Sequence, residues 1–425
     1  MTMDHSDFLE AILAAPEDDA PRLVYADWLL ERDDPRGEFI RLQCELQAIA
    51  DGDSKVARRL KIRENALLRE HRTKWAPGLD KQVDKYEFRR GFVEFVHARS
   101  TLFASEEKLA ALFDVAPTLS ALEIDYYGDT LNNLVSSPYT ARLRSLQLNN
   151  NEYNKGFSDA HASLCADSPH FRGLTHLHVT RGKMTDKGAL RLARSPNLSR
   201  LRELHVWSNE MGAEGIVGLL ESPHFQLQKL YCGQNNLGVD GAEALAASPR
   251  AAHLTALDVS ENNLGAPGLE ILAGSPHLKG LTELLIRKSK LGWKGAEALA
   301  RAANFNSVES LDVMGNALGV KGATALAESP NLAGVTELSL WQTSMGDEGV
   351  TILAGSPLFG RLRSLNLRSN RLTDAAALAI AASPHAASLK SINLNNNKIG
   401  RKGAKALDTS KYLEKTRVYF ERLSG

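Results

Sequence analysis

One 27-residue phrase, LTALDVSENNLGAPGLEILAGSPHLKG from Leu254 to Gly280, is written again from Leu281, Val308, Val335, Leu362 and Leu389 without a slip. Earlier copies begin at Leu143, Leu174, Leu201 and Leu227, with looser spacing towards the first. Ten copies thus cover Leu143 to about Lys415. A unit this short cannot bury its own apolar face, so self-similarity at this period predicts a stack in which each copy completes its core with its neighbours. A chain of 425 residues would ordinarily divide into two or three domains, but a stack grows along one axis and escapes that bound.

Within the unit the apolar period changes once. Leu254, Leu257, Val259 and Leu264 alternate with polar residues as in a strand with one buried face. Asn262 then marks a turn, and Asn recurs in phase at Asn151, Asn209, Asn235, Asn316, Asn370 and Asn397. An amide both donates and accepts, so a buried ladder of these residues can satisfy backbone groups where the chain bends inward. Beyond the turn, residues such as Ala242, Leu245 and Ala246 fall at helical spacing. The Ser-Pro steps at Ser248, Ser275, Ser329, Ser356 and Ser383 end each helix, because proline cannot continue one. The pattern breaks at Gly182, Ser289 and Thr343, which replace the turn Asn, and at Ala302-Ala303, which replaces Ser-Pro; these copies are expected to be looser or bent.

The pattern LxxLxLxxNxL followed by a GAxALA helix resembles the leucine-rich repeat family, specifically its ribonuclease-inhibitor-like class. The resemblance implies an α/β solenoid shaped as a horseshoe, with a parallel sheet on the concave face and helices on the convex face. Residues 1 to about 52 differ: Phe8, Leu9, Ile12 and Leu13, then Leu23, Val24 and Leu29 behind Pro21, then Phe39, Leu42, Leu46 and Ile49 make three helical stripes. The elements Pro21-Arg22-Leu23, Tyr25-Ala26-Asp27-Trp28-Leu29 and Pro35-Arg36-Gly37-Glu38-Phe39-Ile40-Arg41 resemble the repeat-companion domain that precedes leucine-rich repeats in some bacterial protein families. The expected division is a helical companion domain with a basic connecting helix over 1–85 and a repeat domain over 86–425, with capping repeats at 86–142, regular repeats at 143–415 and a terminal cap at 416–425.

Charge is balanced, with 51 basic and 51 acidic side chains, which gives no global pull towards nucleic acid or acidic membranes. It is locally divided: residues 1–54 carry 14 acidic against 4 basic groups, and residues 55–90 carry 12 basic against 5 acidic. The basic helix Lys55 to Arg72 is expected to pack back on the acidic unit or to be solvated. An acidic-partner or nucleic-acid patch at Arg58, Arg59, Arg63, Arg69 and Arg72 is the competing reading, and without a base-reading module nucleic acid is not expected. Cys44, Cys165 and Cys232 have no ligand-like spacing and read as reduced packing residues. No apolar run approaches the length of a membrane span and the first residues do not form a secretion signal, so a reducing cytoplasm is expected. The segment 86–98 reads as one strand opening the array, and Arg417 to Phe420 as a final covering strand.

No phosphate-binding glycine loop, nucleophile elbow or metalloprotease motif occurs, so no enzyme is expected. The third, fifth and seventh positions of each unit point away from the core, and equal positions in adjacent copies are neighbours. On that map, Trp207 and Tyr231 lie on neighbouring strands with Trp341 farther round, and large aromatics that no core needs are favoured interface anchors. Glu203, Asp258, Glu283, Asp312 and Glu337 make the centre acidic, with Leu285 among them and Arg287, Lys288 and Lys290 along the rim. His176 and His178 beside Glu203 and His205 offer metal-type donors, but nothing fixes their orientation, and neither metal nor other cofactor is expected. The sequence therefore points to a non-catalytic scaffold that grips a protein partner through His178, Glu203, His205, Trp207, Tyr231, Asp258, Glu283, Leu285, Arg287, Asp312 and Trp341. Two other readings stand beside it: an accessory of a nucleotide-switch protein, similar only in architecture to the Ran GTPase-activating protein, and carbohydrate or peptide binding on the outward aromatics.

Overall fold

The computed structural model describes residues 4–49, 54–125, 128–149 and 156–421. Asn151, expected in the amide ladder, lies outside them. The fold is α/β and solenoidal, and the chain packs as two compact units, one of residues 1–157, 163–179 and 196–200, the other of 158–162, 180–195 and 201–425.

In the first unit, helices α1 (His5–Ala14), α2 (Ala20–Leu30), α3 (Pro35–Ala48) and α4 (Lys55–Trp75) precede the strands. Asp4 and Asp7 form a capping box at the start of α1, and Pro21 sits in the first turn of α2. Phe8, Ile12, Tyr25, Leu29 and Ile40 share one core with Phe92. Gly37 is where α2 and α3 meet: a Cβ there would lie 2.5 Å from the Ala26 carbonyl oxygen. The basic helix α4 packs on α3. The Arg63 guanidinium donates twice to Glu38, at 2.6 Å each, Gln43 donates to Glu64 at 2.8 Å, and Trp75 stacks on Phe39.

Segment 86–98 forms a hairpin rather than one strand: β1 (Lys85–Arg89) runs antiparallel to β2 (Phe92–Arg99). Arg90 and Gly91 both take positive φ at the turn, a geometry that the aromatic and branched residues around them conceal in the sequence. A Cβ on Gly91 would lie 2.1 Å from the Ile40 side chain, so the turn is pressed against α3. Glu94 on β2 is buried between Arg22, at 2.7 Å, and Arg90, at 3.2 Å. These contacts tie the helices to the sheet. Strands β3 (Ala121–Asp125) and β4 (Ser145–Asn149) extend it in parallel, followed by β5 (His176–Thr180).

The second unit carries β6 (Glu203–His205), β7 (Lys229–Tyr231), β8 (Ala256–Asp258), β9 (Glu283–Leu285), β10 (Ser310–Asp312), β11 (Glu337–Ser339), β12 (Ser364–Asn366), β13 (Ser391–Asn393) and β14 (Arg417–Tyr419). They pair in parallel and in sequence order, so Lys229, Ala256 and Glu283 are register partners, as are Tyr231, Asp258 and Leu285. Leu254, Leu257, Val259 and Leu264 are buried as the alternation requires, and a helix follows each of β6 to β13.

The amide ladder is present. Asn262, fully buried, accepts from the backbone N–H of Asn235 at 3.0 Å and of Leu237 at 3.4 Å, and its Nδ2 donates to the carbonyls of Cys232 and Ser260. Asn316 and Asn370 repeat the arrangement. At two of the three substituted turns a hydroxyl bonds the backbone: that of Thr343 donates to the Leu340 carbonyl at 2.7 Å, and that of Ser289 to the Arg287 carbonyl at 3.0 Å. A second ladder runs at the far end of the helices. The hydroxyls of Ser222, Ser275, Ser329 and Ser383 donate to the carbonyls of Ala193, Ala246, Ala300 and Ala354, one copy back. Where Ala302-Ala303 replaces Ser-Pro, the Asn304 amide reaches the Leu272 carbonyl at 3.0 Å and supplies the missing rung.

Candidate protein-binding face

In the second unit, the side chains that alternate with the core residues form the exposed face of the sheet. Around β6 to β9 the face is built from aromatic rings and carboxylates. Tyr231 stacks on His205, with ring centroids 4.0 Å apart and planes 17° from parallel. The His205 Nε2 is 2.8 Å from Glu203, whose other oxygen is 3.2 Å from Lys229. The Tyr231 hydroxyl crosses β8 and donates to Glu283 on β9 at 2.9 Å, passing where the third-position residue is the small Ala256. Burial, reinforced by the Glu283 hydrogen bond, holds the Tyr231 hydroxyl protonated well beyond its usual range. Trp207 is half-buried and lies over Gly233: a Cβ on Gly233 would come within 2.5 Å of the indole Cδ1 and Nε1. Glycine at this seventh position therefore seats the indole.

Some outward positions with side chains that the sequence map exposes are buried. Asp258 is 5% exposed, Ser260 2% and Leu285 8%. The Tyr231 side chain passes over β8 to reach Glu283, and the Ser260 hydroxyl accepts from the Arg287 backbone N–H at 2.9 Å. Asp258 also has a backbone role: its Oδ1 accepts from the Ser260 N–H at 2.8 Å. Asp312, Asn366 and Asn393 do the same two residues ahead. The recurrence of Asp or Asn at the fifth position is the signal for this turn, which a reading of surface charge alone misses. Burial pushes the Asp258 carboxyl up from the ordinary aspartate value.

Arg287 reaches Asp312 at 2.7 Å, and Lys288 reaches Glu261 at 3.0 Å. Trp341 is half-buried beneath the Arg368 guanidinium, 5.0 Å from its ring centroid, and Glu337 is exposed. His176 and His178 lie on β5 in the first unit, half-buried, while Glu203 and His205 lie on β6 in the second. The helix side bears a shallow cleft of about 540 Å³ between helices Gly265–Ala273 and Gly292–Arg301, lined by Pro267, Glu270, Lys294, Glu297 and Arg301. Cys44, Cys165 and Cys232 are buried, which pushes all three thiols up, that of Cys44 to about 11, and suits packing rather than reactivity. Among the described residues, no helix is long and apolar enough to cross a membrane.

These features define an α/β solenoid with an aromatic and acidic patch on its sheet. Five segments, 173–193, 250–273, 306–327, 362–381 and 385–407, match the family model described as Leucine Rich repeat. No curated protein matches the chain. A chain in the crystal structure of the Rad7 and Elc1 complex in yeast is similar over 98% of both chains, with 14% identity and a TM-score of 0.51, which shows the fold. An internalin, InlF, from Listeria monocytogenes aligns over 60% of this chain and 78% of its own, with 18% identity and a TM-score of 0.31.

Proposed function

We propose that the protein is a non-catalytic scaffold that binds another protein on the exposed face of its sheet, in a solenoid of the ribonuclease-inhibitor-like class headed by a repeat-companion domain at 1–85. The seating of Trp207 on Gly233 beside the Tyr231–His205 stack carries this reading. Large rings held in place at the surface lose little freedom on binding, and aromatic residues are enriched among the side chains that dominate interface energies. The half-buried carboxylates of Glu203 and Glu283 beside the Tyr231 ring favour a partner with basic groups opposite them. Arg287, Asp312 and Trp341 extend the proposed contact along the sheet. The neighbour from the Rad7 and Elc1 crystal structure belongs to a complex, which accords with a protein partner.

The experiment is affinity capture from the native cell extract. Trp207→Ala with Tyr231→Ala should lose the captured partner while circular dichroism and melting stay close to those of the parent. Glu243→Ala with Glu297→Ala, on the helix side, should retain it. Loss with the helix-side pair and retention with the aromatic pair would refute the reading.

A further inference from the structure

A second cluster lies on the sheet of the first unit. His97 on β2 is the register partner of Glu123 on β3, and Asp125 lies two residues farther along β3 on the same face. Each is half-buried, and one donor atom from each falls within 4.8 Å of the others. The His97 Nε2 and Asp125 Oδ2 are 3.0 Å apart. Two ligands about 2.0–2.2 Å from one zinc-sized ion are separated by roughly that distance at tetrahedral or octahedral angles.

Two further observations distinguish this cluster from ordinary surface charge. Several carboxylates on the sheet side of the second unit carry their own cations: Glu203 has Lys229, Asp312 has Arg287 and Glu261 has Lys288, while Glu283 has the Tyr231 hydroxyl instead. Among the described residues, neither Glu123 nor Asp125 has a Lys or Arg within ion-pair distance, and His97 is the sole basic group paired with them. The next strand supplies neutral amides instead. Asn149 donates to Glu123 Oε1 at 2.7 Å and to Asp125 Oδ1 at 3.2 Å, and Gln147 donates to Glu123 Oε1 at 3.1 Å. These bonds orient both carboxylates by one oxygen each and leave Glu123 Oε2 and Asp125 Oδ2 for a ligand, the arrangement in which outer hydrogen bonds support metal-binding groups.

We propose that His97, Glu123 and Asp125 form a binding site for a divalent transition ion of the zinc type. One imidazole with two carboxylates suits such an ion, whereas magnesium and calcium favour sites built wholly from oxygen. Three protein ligands leave a position for water. On binding, the His97 Nε2 exchanges its hydrogen bond to Asp125 for the metal and the imidazole serves as a neutral ligand.

The test is isothermal titration of the full chain, freed of metal by a chelator, with zinc chloride. It uses a His205→Ala background, because His205 and Glu203 form a separate imidazole–carboxylate pair. The expected result is a saturable one-site isotherm that His97→Ala and Asp125→Asn each abolish, that Asn149→Ala weakens by about 10- to 100-fold, and that magnesium chloride does not reproduce. Absence of saturable zinc binding, or binding unchanged in both ligand variants, would overturn the proposal and leave His97–Asp125 as a simple charge pair. Unchanged melting of His97→Gln without zinc would confirm that a lost isotherm reports a lost ligand and not a lost fold; a collapsed fold in that variant would assign the cluster to structure and overturn the site.

Discussion

Removing the amide of Asn262 is the sharpest perturbation of the repeat. Asn262→Ala deletes four hydrogen bonds, but they are not equivalent. The Cys232 carbonyl still receives the Asn235 amide at 3.0 Å, and the Ser260 carbonyl still receives the Gln234 N–H at 2.7 Å. Among the described residues, the N–H groups of Asn235 and Leu237 have no alternative acceptor, and the Asn235 bond at 3.0 Å is the stronger of the two. Each buried unsatisfied group is worth about 1–3 kcal/mol, so the variant should lose about 3 kcal/mol of stability, with the long Leu237 bond contributing the smaller share. The control is Asn236→Ala, at an exposed position of the same turn, which should change stability by less than about 0.5 kcal/mol. Urea unfolding gives the global difference. Hydrogen exchange gives the local one, since repeats can open singly, and the Asn235 amide should lose protection first. Equal destabilisation by the two variants, or an Asn235 amide as protected as before, would refute the ladder.

Glu94→Gln removes the buried carboxylate that bridges Arg22 and Arg90 and leaves them only the more exposed Asp19, 3.5 Å from Arg90; the expected loss is about 3 kcal/mol, seen as early proteolysis of the first unit. Asp258→Asn keeps the backbone cap, as Asn366 and Asn393 do, and removes a buried charge. Because the folded Asp258 carboxyl holds its proton more tightly than the unfolded one, its ionisation lowers stability as pH rises from the ordinary aspartate value through the folded one. The variant should therefore be up to about 1 kcal/mol more stable than the parent at pH 7, with the gap closing in acid, as melting curves across pH will show. Gly233→Ala should displace the Trp207 indole and shift its fluorescence while melting changes little; an unchanged spectrum would contradict the seating.

Much of this structure was legible in the sequence because it repeats. Leu254, Leu257, Val259 and Leu264 announce the strand, Asn262 the turn and Ser275-Pro276 the end of the helix, and each occupies the place its chemistry predicts. What escaped was what depends on partners in the next copy. Serine before proline reads as a helix stop, yet its hydroxyl also bridges copies, and Asn304 takes over that bridge from a position one would not align. Ser260 is outward by parity but buried, its hydroxyl bonded to the Arg287 backbone N–H of the next copy, which alternation along one strand does not encode. The hairpin at Arg90 and Gly91 was hidden because a turn of two residues scarcely interrupts a run of aromatic and branched side chains. At the candidate site the positions of Trp207 and Tyr231 followed from phase, while the Tyr231 bond to Glu283 and the seat at Gly233 needed coordinates.

Binding on the sheet face is tested most directly by site-specific photocrosslinking in the native extract. A photoreactive phenylalanine analogue replacing Tyr231 should yield one covalent adduct with a protein bearing a basic surface, and the same analogue replacing Glu243 on the helix side should yield none. An adduct from position 243 with none from position 231 would contradict binding on the sheet face and place the interface on the helices.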